Sequence, residues 1–212
     1  MDLQRHLDRA VALIKAAPAV LIGGGLVAFV LAGASFGILA GPSLGAYCGA
    51  IVRALRAERP PGWADLLPPG RHVLALLPFS ALPLGISLVF SLTVVFQSLL
   101  FLVPGVILVV WWLYTLPLMA DQGLGLLPAM GASRQKVAEQ GFFPHLSYLF
   151  VVFVVPELIL TAFRAVFGDA PIIPPLISLL HILLIPLQTG CLAGLYLDAF
   201  PPPAAPPSLL DQ

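Results

Sequence analysis

Residues 72–120 read HVLALLPFSALPLGISLVFSLTVVFQSLLFLVPGVILVVWWLYTLPLMA, and this stretch decides the fold class. It holds 49 residues without one Asp, Glu, Lys or Arg. One membrane-crossing helix takes about 20 apolar residues, so the run is long enough for two. The break falls near Gln97–Pro104, which gives spans of Val73–Phe96 and Val103–Ala120 and an outer turn at residues 98–103.

Composition agrees. Of 212 residues 59% are hydrophobic and 9% charged, with a mean hydropathy of +1.02. Soluble domains carry about 25% charged residues. Ten Lys+Arg balance ten Asp+Glu, so no overall field draws a polyanion. These values exclude an ordinary soluble domain, a disordered chain and a nucleic-acid binder. They imply an all-α, polytopic membrane helix bundle. Cys48 and Cys191 lie in apolar surroundings without a CxxC partner and read as packing residues.

Working outward, residues 1–17 place Leu3, Leu7, Ala10, Val11 and Ile14 on one stripe of an amphipathic helix that lies in the membrane surface. Ala32-Gly33-Ala34 has the small-x-small look of a signal-peptide cleavage site, but the uncharged run continues to Val52 and argues against one. A first span covers Ala19–Leu39. Gly41-Pro42 breaks it, and a short second helix runs from Ser43 to Arg56. Residues 57–72 form a Pro-rich polar loop in which Trp63 suits the interface. A second loop at 121–142 carries a helix near Pro128–Gln140, followed by spans at Leu146–Phe167 and Ile173–Phe200. The organisation is therefore an interfacial helix (1–17), a six-helix membrane domain (18–200) and a Pro-rich flexible tail (201–212).

Charge sets the orientation. With six spans, Arg5, Arg9, Lys15, Arg53, Arg56, Arg59, Arg71, Arg134 and Lys136 fall on one side, and Arg164 alone lies near the other. Basic residues mark the cytoplasmic side. The expected location is a prokaryotic cytoplasmic membrane with both termini cytoplasmic.

Several features bear on function. Gly33, Gly37, Gly41, Gly45 and Gly49 stand four apart and suggest a tightly packed hairpin of the first two helices, with a groove for a lipid or partner helix as the rival. The same glycines frame Ser35 and Ser43 in two GxSxG matches. A hydrolase elbow needs a strand before the serine, which is absent here. An intramembrane serine protease would need His181 as base. Glu157, Arg164, His181, Gln188 and Gln97 lie within spans and should face the bundle interior. Glu157 has two candidate partners, Arg164 and His181. A structural contact is the first reading, a proton or ion relay the second, and misplaced span boundaries, which would put Arg164 and Glu157 near the outer surface, the third. His6, His72, His145 and His181 form no metal-ligand spacing, and no cofactor motif is present. Trp111, Trp112 and Tyr114, in the middle of a span, read as packing residues.

The stretch Leu113–Gly125, with Ala129 and Ser133, resembles a motif of uncharacterised prokaryotic integral membrane proteins of the DUF975 and DUF4013 types. It is also similar to the membrane domain attached to some glycerophosphodiester phosphodiesterases. Gly45-x-Tyr47, Arg53, Arg56, Glu58-Arg59-Pro60, Asp65-Leu66 and Ala16-Ala17-Pro18 fit the same group, whereas Ala57 and Gly131 depart from it. The resemblance implies a six-helix membrane fold and no known chemistry. Within the motif, Asp121 would end a span and cap the next turn, Gly123 and Gly125 would permit the bend, and Ser133 would bond within the hairpin.

The function expected is that of a non-enzymatic integral membrane protein that organises, assembles or regulates a membrane partner. The alternative is a small-solute, ion or lipid transporter, and the remote alternative an intramembrane hydrolase. The expected partners are the bilayer and a membrane protein or a second copy, with no nucleic acid.

Overall fold

Short apolar helices that pack through small residues need their ends fixed, and the chain fixes each end by a local device. In a computed structural model, residues 2–66, 74–86, 91, 99–168, 170 and 172–201 are described. Among these the only regular structure is helical.

Helix α1 (Leu3–Ala16) starts at Asp2, whose side chain accepts from Arg5 N at 3.1 Å. Pro18 opens α2 (Pro18–Ala34), where its missing N–H is not needed. The two helices meet at 101°. The buried residues of α1 are His6, Ala10 and Leu13, while Leu3, Leu7 and Ile14 are partly buried and Val11 is exposed. The expected stripe is thus rotated toward His6. The cause lies in the last helix: a Cβ at Gly190 would sit 2.8 Å from that of Ala10, and one at Gly194 would sit 3.0 Å from the His6 ring.

The first span ends earlier than expected. The chain turns at residues 35–39, where Phe36 (φ 51°) and Gly37 (φ 85°) are left-handed. Ser35 Oγ donates to Ala32 O and accepts from Leu39 N. Helix α3 (Ala40–Ala57) then carries Gly41-Pro42 inside its first turn, so this pair starts a helix rather than breaking one. Helix α3 is the central post. Ala50, Ile51 and Val52 are fully buried, and α2, the apolar helix α4 (Leu74–Ile86), the helix Thr115–Gln122 and the last helix surround it. Only small side chains let so many helices approach.

The expected fourth span is present but broken. Helix α5 (Leu99–Trp111) contains Pro104, and α6 (Thr115–Gln122) follows after a turn at residues 112–114. Residues 99–103, expected in an outer turn, are helical. Gln97, Arg71, His72, residues 73, 87–90 and 92–96 of the expected third span and the tail from 202 lie outside the described residues. Helix α7 (Leu126–Gln140) and the long α8 (Phe142–Phe167) come next; α8 is widened into a π turn at Phe150–Val154 just before Pro156. The last helix, α9, is Ile173–Ala199.

Among the described residues three helical stretches are long and apolar enough to cross a membrane: Val103–Gln122, Phe142–Phe167 and Ile173–Ala199. The bent α1–α2 pair makes a fourth if it counts as one span.

Candidate functional site

Polar side chains gather at one end of this apolar bundle, where α3, α6 and α9 finish and α1 begins. Arg56 holds Asp121 in a fork of 2.8 and 2.7 Å, and Tyr196 donates to the same carboxylate at 2.7 Å. Gln122 Nε2 donates to the Tyr196 hydroxyl at 3.1 Å. The Asp121 side chain is 4% exposed and that of Arg56 36%. Asp121 therefore ties α6 to α3 and α9, and does not cap the turn that follows it. That turn is made by Gly123 (φ 68°), whereas Gly125 has an ordinary φ of −66°.

Ser133 on α7 explains the broken span. Its buried hydroxyl donates to Trp111 O at 2.8 Å and accepts from Tyr114 N at 3.0 Å, so it bonds both sides of the 112–114 turn. This matches the expectation of a bond within the hairpin. Tyr114 is packed as expected, and its hydroxyl lies 2.9 Å from His145 Nε2. His145 Nδ1 faces the Gly141 carbonyl at 2.6 Å. A carbonyl only accepts, so Nδ1 carries the proton and Nε2 accepts from Tyr114. Arg134 stacks over Trp111 at 4.7 Å.

Beside this cluster, His6 is wholly buried between two partners. Its Nε2 is 2.9 Å from Asp198 Oδ2 and its Nδ1 is 3.0 Å from the Tyr148 hydroxyl. Tyr148 donates to Cys191 O at 2.9 Å, and Arg5 pairs with Asp198 from the open side. A polar cleft of about 500 Å³, lined by Asp2, Arg5, Gln140, Pro144 and Asp198 among others, reaches this group. Sequence reading missed His6, Tyr148, Tyr196 and Asp198. Two signals were available: His6 sits among the apolar positions of α1, and Gly190-x3-Gly194 marks a notch on α9.

A second feature is the loop after α3. Arg59 forks onto Asp65 at 3.0 and 2.9 Å, Gly62 N donates to it at 2.8 Å, and Arg53 donates to the Asp65 carbonyl. The Arg59 guanidinium holds the Asp65 carboxyl down at about 2. This clamp presses Trp63 against Gly23 and Leu66 against Gly24. Between α2, α3 and this loop lies an apolar cleft of about 520 Å³, with Gly24, Ala28, Ala46 and Tyr47 in its wall.

The five regularly spaced glycines do not share one hairpin face. Gly33 has nothing within 4 Å, and Gly37 serves the turn. Gly41, Gly45 and Gly49 face away from α2: a Cβ would meet Leu76 O at 2.0 Å, Leu76 Cδ2 at 2.8 Å and Ala120 Cβ at 3.2 Å respectively. The two GxSxG serines serve their own turns, Ser35 as described and Ser43 by donating to Leu39 O. His181 faces neither.

The polar residues of the long helices divide. Gln188 Nε2 donates to Val152 O at 3.2 Å, inside the bundle. Glu157 pairs with His181 at 2.9 Å, but the two side chains are 49% and 43% exposed. The pair therefore lies on the outer face, which corrects the expectation of an interior position. Arg164 is exposed and forms no ion pair among the described residues. It stands two turns beyond Glu157 on α8, whereas His181 is level with Glu157 across the α8–α9 hairpin. Among the described residues no group of three His, Cys, Asp or Glu is placed to hold a metal. No family model, curated protein or solved structure matches the chain.

Proposed function

We propose that this is a non-enzymatic integral membrane protein that organises, assembles or regulates another membrane protein, or a second copy of itself. The observation that carries the reading is the outward-facing Glu157–His181 pair. Along the helix axes Glu157 lies roughly 15 Å, and His181 roughly 12 Å, from the α8–α9 connection. That depth is within a hydrocarbon core of about 30 Å. An ionisable pair left facing lipid is costly there, and a partner helix with polar side chains removes the cost.

The topology we attach to this reading has six crossings, an interfacial α1, both termini in the cytoplasm and a prokaryotic inner membrane. It is supported by Arg5, Arg56, Arg134 and Lys136 meeting at one end of the bundle, with Arg164 toward the other. The likeness to uncharacterised prokaryotic membrane proteins is of the same kind.

Transport is the competing reading, and it requires a wet path to Glu157 or His181. The polar cleft at Asp198 lies roughly 25 Å from His181 along α9. Reconstitution separates the two. Purified protein in liposomes with an entrapped pH dye should pass no more protons after a pH jump than empty liposomes. A proton flux that Glu157→Gln abolishes without loss of thermal stability would put the transporter first.

A further inference from the structure

We propose that the joint between α1 and α9 is a proton-operated latch, closed when the His6 ring carries both of its protons. The Tyr148 hydroxyl has one proton, and Cys191 O, 2.9 Å away, only accepts. With that proton committed, Tyr148 accepts from His6 Nδ1, which must then be an N–H. On the other side Nε2 faces Asp198 Oδ2 at 2.9 Å. Asp198 Oδ2 also accepts from the Arg5 guanidinium, so this oxygen faces donors on both sides and Nε2 must be an N–H as well. All three contacts are made together only by an imidazolium.

A neutral ring loses one of them. If the proton stays on Nε2, Tyr148 must turn its hydroxyl to Nδ1 and leave Cys191 O. If it stays on Nδ1, a bare nitrogen lone pair faces the Asp198 carboxylate. Among the described residues the ionisable groups at or next to the ring are Asp2 and Arg5 at the start of α1, Tyr148 on α8 with the Tyr114–His145 pair beside it, and Asp198 and Cys191 on α9. Helix α2, which also packs on α1, carries no ionisable residue. Buried as it is, the imidazole has a route for exchange, because Asp198 is 33% exposed at the polar cleft.

The rest of the joint suits a latch. Helix α1 lies on α9 through Ala10 against Gly190 and His6 against Gly194, a close fit at two small residues. The 101° corner at Pro18 lets α1 move without α2.

The test is amide hydrogen exchange of the full-length protein in nanodiscs at pH 5.5 and 8.5, each corrected for the intrinsic pH dependence of exchange. The latch predicts that protection of residues 6–14 falls roughly tenfold at the higher pH while that of α3 stays constant. His6→Gln should give the low protection at both pH values. Equal α1 protection of the native protein at the two pH values would overturn the proposal, and this arm needs no variant. So would a pH response that survives in His6→Gln.

Discussion

Gln188 of α9 donates its side-chain N–H to the carbonyl of Val152, the acceptor four residues before Pro156. In a regular helix the amide of residue 156 would serve that carbonyl, and proline has no proton to give. A side chain from the neighbouring helix takes over, and the π turn at Phe150–Val154 marks where α8 adjusts. The glutamine in the middle of the last span is thus a structural partner of a proline in the span before it.

Gln188→Leu should therefore lower stability by about 1–3 kcal/mol, because it strands a carbonyl in an apolar setting. Pro156→Ala restores a local donor, so the same change made on that background should cost much less. Thermal unfolding of the four proteins in one detergent gives the cycle. Additive losses would show that the two residues act independently.

The Arg56–Asp121 fork behaves differently. Asp121→Asn leaves Arg56 facing a neutral amide and should cost about 2–4 kcal/mol, less than a wholly buried pair because Arg56 keeps a third of its side chain exposed. Arg56→Met combined with Asp121→Leu should be milder than Asp121→Asn alone. Chemical or thermal melts with Tyr196 intact report this.

Glycine replacements should divide by location, not by their regular spacing. Gly41→Ala drives a methyl into Leu76 O, 2.0 Å from the Cβ position, and should abolish monodisperse protein. Gly33→Ala meets open space near the end of α2 and should leave stability unchanged or raise it by up to about 1 kcal/mol. Size-exclusion profiles after mild heating distinguish the two.

The Asp65 clamp carries a pH signature. Its folded carboxyl titrates near 2, below its ordinary value of 3.8. Docking of the loop is therefore supported in full above about pH 4 and lost as pH falls through about 2. Trp63 emission, read with Trp111 and Trp112 replaced by Phe, should shift to the red only in that acid range. Asp65→Asn should show the shift at neutral pH.

Much of the helix pattern is legible in the sequence, and the failures have one cause. The bounds of α7 and α9 follow from apolar runs closed by Gly, Pro and charge, and they land within a residue or two of expectation. The break at residues 112–114 is illegible locally, because the hydroxyl that holds it comes from Ser133, about twenty residues on. His6 and Asp198 are 192 residues apart, and nothing in either neighbourhood announces the other. The glycine series misled for the same reason: spacing tells which residues share a helix face, not which helix that face meets. Glu157 and His181 were found because an ionisable side chain in an apolar run is conspicuous, but their outward direction is a property of the assembled bundle.

That outward direction is the centre of the functional account, and one measurement addresses it directly. A photo-crosslinking amino acid at Leu158, exposed beside Glu157 on α8, is irradiated in intact cells. The account predicts a discrete protein adduct, to a second copy or to another membrane protein, that disappears when Glu157 and His181 are both changed to Leu. Adducts to lipid alone, unaffected by those changes, would contradict it.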